Sequence, residues 1–211
     1  MQSRARAGRP TREQAEARHA ELLEAALDHF LEKGFEPATI EAIAAQVGMT
    51  KRTVYGLYPD KSALFHAAVH RAIERYSISD AAIEATRCDD LEQTLRNIAL
   101  LRINLVASPQ GLKLQRIINT ESYRFPDIFS ELYEIGARPT VHFLARLLES
   151  ETQAGRLAIE EPGKAANLFM SMVVSGPARL IVSGNPLSAE QIGERVDFAV
   201  RLFLDGARPR P

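Results

Sequence analysis

Residues 39–61 read TIEAIAAQVGMTKRTVYGLYPDK: a short helix, a glycine turn, a second short helix and the start of a third. Two helices that cross steeply need a tight turn, with glycine where the backbone leaves the first of them. Gly48 stands at that point. Ile40, Ile43, Ala44 and Val47 before the turn, and Met49, Val54 and Leu57 after it, are apolar or small and are predicted to face inward. Ala44 leaves room for the second helix to approach. The outward face of that second helix then carries Lys51, Arg52, Thr53 and Tyr55, a donor-rich surface suited to phosphates and to base edges in a major groove. Small residue, turn glycine, apolar spacing and basic outer face all agree with one geometry, a helix-turn-helix that binds DNA.

The flanking sequence supports that reading. Leu22, Leu23, Ala26, Leu27, Phe30 and Leu31 form one buried helical stripe, which Gly34 ends. Thr39, Thr50 and Asp60 are predicted N-caps of the next three helices. Leu64, Phe65, Ala68, Val69, Ala72 and Ile73 mark one face of a fourth helix running to about Tyr76. Further on, amphipathic helices are expected over about 90–107, 110–122, 127–153, 162–182 and 189–205, with breaks at Pro109, Pro126, Gly155 and Pro186. No strand alternation and no internal repeat is evident. The predicted fold is all-α: a three-helix head joined to a larger C-terminal helical bundle. Its divisions are a basic flexible arm (1–15), the helix-turn-helix domain (16–60), a linking helix (61–77) and a body (78–211).

Composition narrows the function classes. The chain has 211 residues, a formal net charge of −1 and no Trp, which suits a small head and a larger body with an aliphatic core. Local charge says more than the total, since Arg4, Arg6, Arg9 and Arg12 come before the first acidic residue, Glu13. Such an arm can lie along phosphates or enter a minor groove, and it can equally be a solubilising tail. Cys88 is the only cysteine, so no intramolecular disulfide is possible. No run approaches the ~20 apolar residues that span a bilayer, and no apolar signal segment follows the basic start. A cytoplasmic protein without a membrane partner is expected.

The stretches ELLEAALDHFLEKGFEPATIEAIAAQVG and MTKRTVYGLYPDKSALFHAAV together resemble the TetR/AcrR family of transcriptional regulators over about residues 12–77. Gly56 departs from the larger residue often found there, and Tyr58 from the usual Phe. The segment ESYRFPDIFSELYEIG is similar to a stretch in the body of AcrR-like members. The resemblance implies that Tyr55 and Lys61 contact DNA phosphates, and that Lys51, Arg52 and Thr53 reach base edges or nearby phosphates. At their helix starts Thr39 and Thr50 either present a donor to phosphate or serve as caps alone. The last two helices, carrying Leu168, Phe169, Met172, Val173 and Ile181, then Ile192, Val196, Phe198, Ala199, Leu202 and Phe203, are implied to pair with their symmetry mates in a homodimer. The expected function is that of a homodimeric repressor on double-stranded DNA, released from a palindromic operator by a small-molecule effector that shifts the fourth helix.

Two prolines within the body, Pro139 and Pro177, each remove a helical hydrogen bond and either kink their helices to open space for an effector or mark a helix boundary. Arg102, Arg116, Asn119, Tyr123, Tyr133, His142, Phe169, Met172 and Arg179 are the polar and bulky residues near those breaks and the candidate pocket set. For an enzyme the sequence offers no Gly-x-Ser-x-Gly elbow and no phosphate loop. His66 and His70 lie four apart on one helix, but a closed metal site needs further ligands, so no metal and no cofactor is expected. His19 is read as a surface partner of Glu16. The alternative of a different class is a helical ligand-binding protein or enzyme whose head no longer reads DNA.

Overall fold

The structure is a computed structural model that describes residues 11–185 and 187–209, without the side chains of Ile181 and Val182. Arg4, Arg6 and Arg9 of the basic arm, and the Ile181 side chain of the expected dimer face, therefore lie outside the described residues. All elements among the described residues are helical. They divide into two compact units, one ending at Ala72 and the other beginning at Ile73.

The first unit opens with α1 (Arg12–Lys33). A capping box fixes its start, because Thr11 Oγ1 accepts from Gln14 N at 3.2 Å while Thr11 N donates to Gln14 Oε1 at 3.0 Å. Helix thus begins before residue 15, where the sequence reading ended the arm. Gly34, at φ 80°, stops it as expected. Next come α2 (Ile40–Gln46), α3 (Lys51–Leu57) and α4 (Lys61–Tyr76), with Gly48 at φ 62° in the turn between α2 and α3. The core of this unit is Leu22, Ala26, Ile43, Ala44, Val54 and Leu64 around three phenylalanines. Phe65 meets Phe30 and Phe35 edge-on, at centroid distances of 5.2 and 5.4 Å, a geometry worth about 0.5–1.5 kcal/mol per pair beyond burial. Leu57 departs from the expectation. The residue is 51% exposed, at the last position of α3 before the extended Tyr58.

The second unit contains α5 (Asp80–Glu84), α6 (Leu91–Ala107), α7 (Pro109–Glu121), α8 (Asp127–Glu131), α9 (Arg138–Gln153), α10 (Pro162–Val182) and α11 (Ala189–Ala207). Its core is built by Leu95, Ile98 and Ile103 of α6, Phe143, Leu144 and Leu148 of α9, Phe169 and Val173 of α10, and Val196, Val200 and Leu204 of α11. The short α5 is absent from the sequence reading. The single helix expected over 127–153 is instead α8, a π-helical segment (Leu132–Ala137) and α9. Pro139 has no N–H to give to the α-helical ladder, and just before it the Arg138 N–H reaches back five residues to the Tyr133 carbonyl. Pro177 lies inside the unbroken α10.

Candidate nucleic-acid interface and effector cavity

The outer face of α3 is short and held at both ends. Thr50 Oγ1 accepts the Thr53 N–H at 3.1 Å and lies 2.8 Å from Thr53 Oγ1, so both hydroxyls brace the first turn. Thr39 caps α2 in the same way, accepting from Ala42 N at 3.2 Å. Val54 faces inward with no exposure, whereas Lys51, Arg52, Thr53 and Tyr55 are all exposed. Gly56 belongs to the outward side as well, and a Cβ built on it meets nothing within 4 Å.

Lys51 is engaged before any DNA arrives. Its ammonium pairs with Glu41 of α2 and lies 5.5 Å from the centre of the Tyr55 ring. Hydrogen bonding to Lys51 holds the Glu41 carboxyl below the usual carboxylate range, and the same pair raises the Lys51 ammonium above its ordinary value. Both groups are about half exposed, so a phosphate can compete for the lysine at little cost.

Lys61 is placed differently from the exposed residues of α3. Its Nζ donates to the carbonyls of Phe35, Glu36 and Ala38 at 2.8, 2.8 and 3.0 Å and sits 4.5 Å from the centre of the Phe35 ring. An ammonium has three N–H donors, and here all three are used. Lys61 fastens the loop between α1 and α2 to the start of α4. Tyr58, half-buried, places its hydroxyl 2.5 Å from His19 Nε2, with the two rings stacked 5.8 Å apart. Burial pushes the Tyr58 phenol up, against the smaller opposing pull of the Arg71 charge. His19 therefore pairs with Tyr58, while Glu16 is taken by Arg12.

Within the second unit a cavity of about 160 Å³ opens among the end of α4, α6, α7 and the π-helical segment. Ile73, Leu105, Val106, Leu114, Phe129 and Leu132 give it an apolar wall. Arg102 is its one charged lining residue among those described. That arginine is only 9% exposed. It donates from Nη1 to the Gly136 carbonyl at 2.7 Å, while its buried Nε has no partner. Burial lowers the affinity of its guanidinium for the proton. Tyr133 turns its hydroxyl away to Asn167 at 3.0 Å and lends the cavity its ring. Among the described residues no group of three or more His, Cys, Asp or Glu side chains is placed to hold a metal ion. None of the described helices is long and apolar enough to cross a membrane.

Comparison with known proteins now adds to this geometry. Residues 22–68 match the family described as bacterial regulatory proteins, tetR family, and residues 93–206 match the AefR-like transcriptional repressor C-terminal domain. The chain belongs to the TetR family. A TetR-family structure from Mesorhizobium loti superposes with a TM-score of 0.75 at 25% identity, covering 95% of this chain and all of its own. The flavonoid-responsive regulator FrrA superposes with a TM-score of 0.73 at 31% identity, over 93% of this chain and 100% of that one. The HTH-type transcriptional repressor BepR of Brucella suis is 29% identical over 170 residues, which is 76% of this chain and 78% of BepR. The protein is a DNA-binding transcriptional regulator of the TetR family.

Of the residues singled out for an effector in this TetR-family body, the structure brings two together, Arg102 and Tyr133, at the cavity. His142 lines a separate, open and charged groove between α5 and α9. Phe169 is wholly in the core. Met172 lines an apolar groove between α10 and α11. Tyr123 is fully exposed, and Arg116, Asn119 and Arg179 are exposed as well. Sequence reasoning missed the aliphatic wall and Gly111. A glycine in the first turn of α7, just after Pro109, was the available signal for a close backbone approach. A Cβ there would stand 2.3 Å from the Leu105 carbonyl oxygen.

Proposed function

We propose that this TetR-family regulator acts as a homodimeric repressor on a palindromic operator and is released by a small organic effector. The observation that carries the reading is α3, whose exposed face gathers Lys51, Arg52, Thr53 and Tyr55 on a helix braced by Thr50. Those four side chains are assigned to the DNA, with Thr39 and Thr50 setting the helix starts and Lys61 holding the α1–α2 loop in register. Dimerisation is assigned to α10 and α11. There Leu168, Met172, Phe198 and Leu202 are 69, 40, 63 and 55% exposed, and Met172, Phe198 and Leu202 line one groove with Pro177. An apolar patch of this kind on two adjacent helices suits an isologous contact with a second copy.

Release requires the effector to bind the DNA-incompetent state more tightly, by about 1–3 kcal/mol for ordinary allosteric coupling. The element available to carry the signal is α4. It begins at Lys61, tied to the α1–α2 loop, and its last turn supplies Ile73 and Tyr76 to the cavity. A flavonoid-responsive relative supports an organic effector. No catalytic role is assigned, and the compartment is that of the DNA, the cytoplasm.

The test is selection of bound sequences from random duplex DNA by the purified protein at about 0.15 M salt, where non-specific binding is weak. Enrichment of a palindrome with half-sites one helical turn (~34 Å) or somewhat more apart is the expected result. A folded dimer that enriches nothing overturns the proposal in favour of a ligand-binding protein that does not read DNA.

A further inference from the structure

The buried arginine of the cavity calls for a counter-charge. Among the described residues no carboxylate lies within ion-pair distance of Arg102, and only one of its five N–H donors is used, toward Gly136. An unpaired ion in an apolar wall is costly to keep, and the cost is offset when an anion supplies the missing charge and hydrogen bonds. A stabilising salt bridge is ready-made elsewhere in the same unit, where Arg96 of α6 meets Asp197 of α11 at 2.6 Å. Six residues further along α6, Arg102 has nothing comparable.

Two further features agree. The π-helical segment whose Gly136 carbonyl holds Nη1 forms one side of the cavity, and such local departures from the α-ladder cluster at binding sites. The cavity of about 160 Å³ is close to the roughly 150 Å³ that accommodates a single benzene ring. No acidic residue lines the cavity among those described.

We propose that the effector is a small organic carboxylate, with an apolar body of about one ring, whose carboxylate pairs with the guanidinium of Arg102. This rests on the effector-released reading above and narrows it. The ring lies against Leu105, Leu114 and Leu132, and the fork geometry of the guanidinium favours a two-point contact with the carboxylate.

The experiment titrates the full-length protein by calorimetry with benzoate and its uncharged isostere benzamide, then with isovalerate and isovaleramide. The same titrations are made on Arg102→Gln and Arg102→Lys. Arg102→Gln removes the charge while keeping a polar amide, and Arg102→Lys retains the charge. The expected result is that an acid of the series binds at least about tenfold more tightly than its amide. That preference disappears in Arg102→Gln and partly survives in Arg102→Lys. If acid and amide bind alike and Arg102→Gln only lowers the melting temperature, Arg102 merely caps the π-helical segment; the anion inference falls while an effector reading stands. If none of the four compounds binds, this inference falls, and a wild-type protein that also stays on its operator with every organic ligand class tried removes the effector reading with it.

Discussion

Replacing Gly111 by alanine tests how tightly the corner between α6 and α7 is closed. The added Cβ would stand 2.3 Å from the Leu105 carbonyl oxygen, 2.8 Å from that of Val106 and 3.0 Å from the Val106 carbonyl carbon. All three are backbone atoms, so no side-chain rotation relieves the clash. Ordinary carbon–oxygen contacts begin near 3.3 Å, and α7 must therefore withdraw by about 1 Å. Overpacking of this kind costs about 1–3 kcal/mol, against the roughly 0.5–1 kcal/mol that alanine gains over glycine within a helix. The net expectation is a loss of about 1 kcal/mol. With a urea slope near 2 kcal/mol/M, the midpoint of the second unit's transition falls by about 0.5 M. Circular dichroism at 222 nm follows it, and Gly206→Ala in α11 is the control, since its Cβ meets nothing within 4 Å. Leu105, Val106 and Gly111 all line the cavity, so benzoate binding should weaken in parallel. A Gly111→Ala midpoint at or above that of the wild type would refute the reasoning, because the corner would then be free to adjust.

Substitutions at two positions, Glu41 and Lys61, separate DNA contact from support. Glu41→Gln releases Lys51 and should tighten operator binding by no more than about fivefold, measured by fluorescence anisotropy. Because the Glu41 carboxyl is held below its ordinary value by Lys51, the pair contributes above the usual carboxylate range and is lost as pH falls through the lowered value. The difference between wild type and Glu41→Gln should therefore be constant around neutral pH and vanish only in strong acid. Lys61→Met keeps the aliphatic stem but removes three hydrogen bonds to carbonyls, and should destabilise the first unit by about 2 kcal/mol in thermal unfolding. Lys61→Arg should rescue little, since a planar fork cannot serve three converging oxygens. An unchanged melting temperature in Lys61→Met would return that lysine to a direct role on phosphate.

Much of the fold is legible in the sequence because its signals are local. Thr39, Thr50 and Asp60 each cap the helix that follows them, through a bond to a backbone N–H three residues on. Gly34 and Gly48 take positive φ where glycine is the natural choice. What escaped the sequence depends on distant partners or on the end of an element. Leu57 has the spacing of a buried residue but stands on the final turn of α3. The five-residue α5 is too short to show a period. The π-helical register before Pro139 follows from a missing donor, yet the sequence reading left the same proline as either a kink or a helix boundary, and it stands in the first turn of α9.

The candidate site divides along the same line. The outward set on α3 follows from seven consecutive residues once Val54 is placed inward, so spacing alone delivers Lys51, Arg52, Thr53 and Tyr55. Lys61 does not follow, because its acceptors are 23–26 residues upstream in a loop whose path no periodicity describes. Arg102 falls between the two cases. Composition near a helix break suffices to suspect a polar residue, but its isolation is a property of the packed bundle, where the one acceptor it meets is 34 residues away. Sequence patterns report which face a residue takes; they do not report whether a buried charge finds its opposite. A charge without a partner is visible only when every neighbour has been placed, and for a regulator that must respond to something outside itself, that unmatched arginine is the physical form a specificity would take.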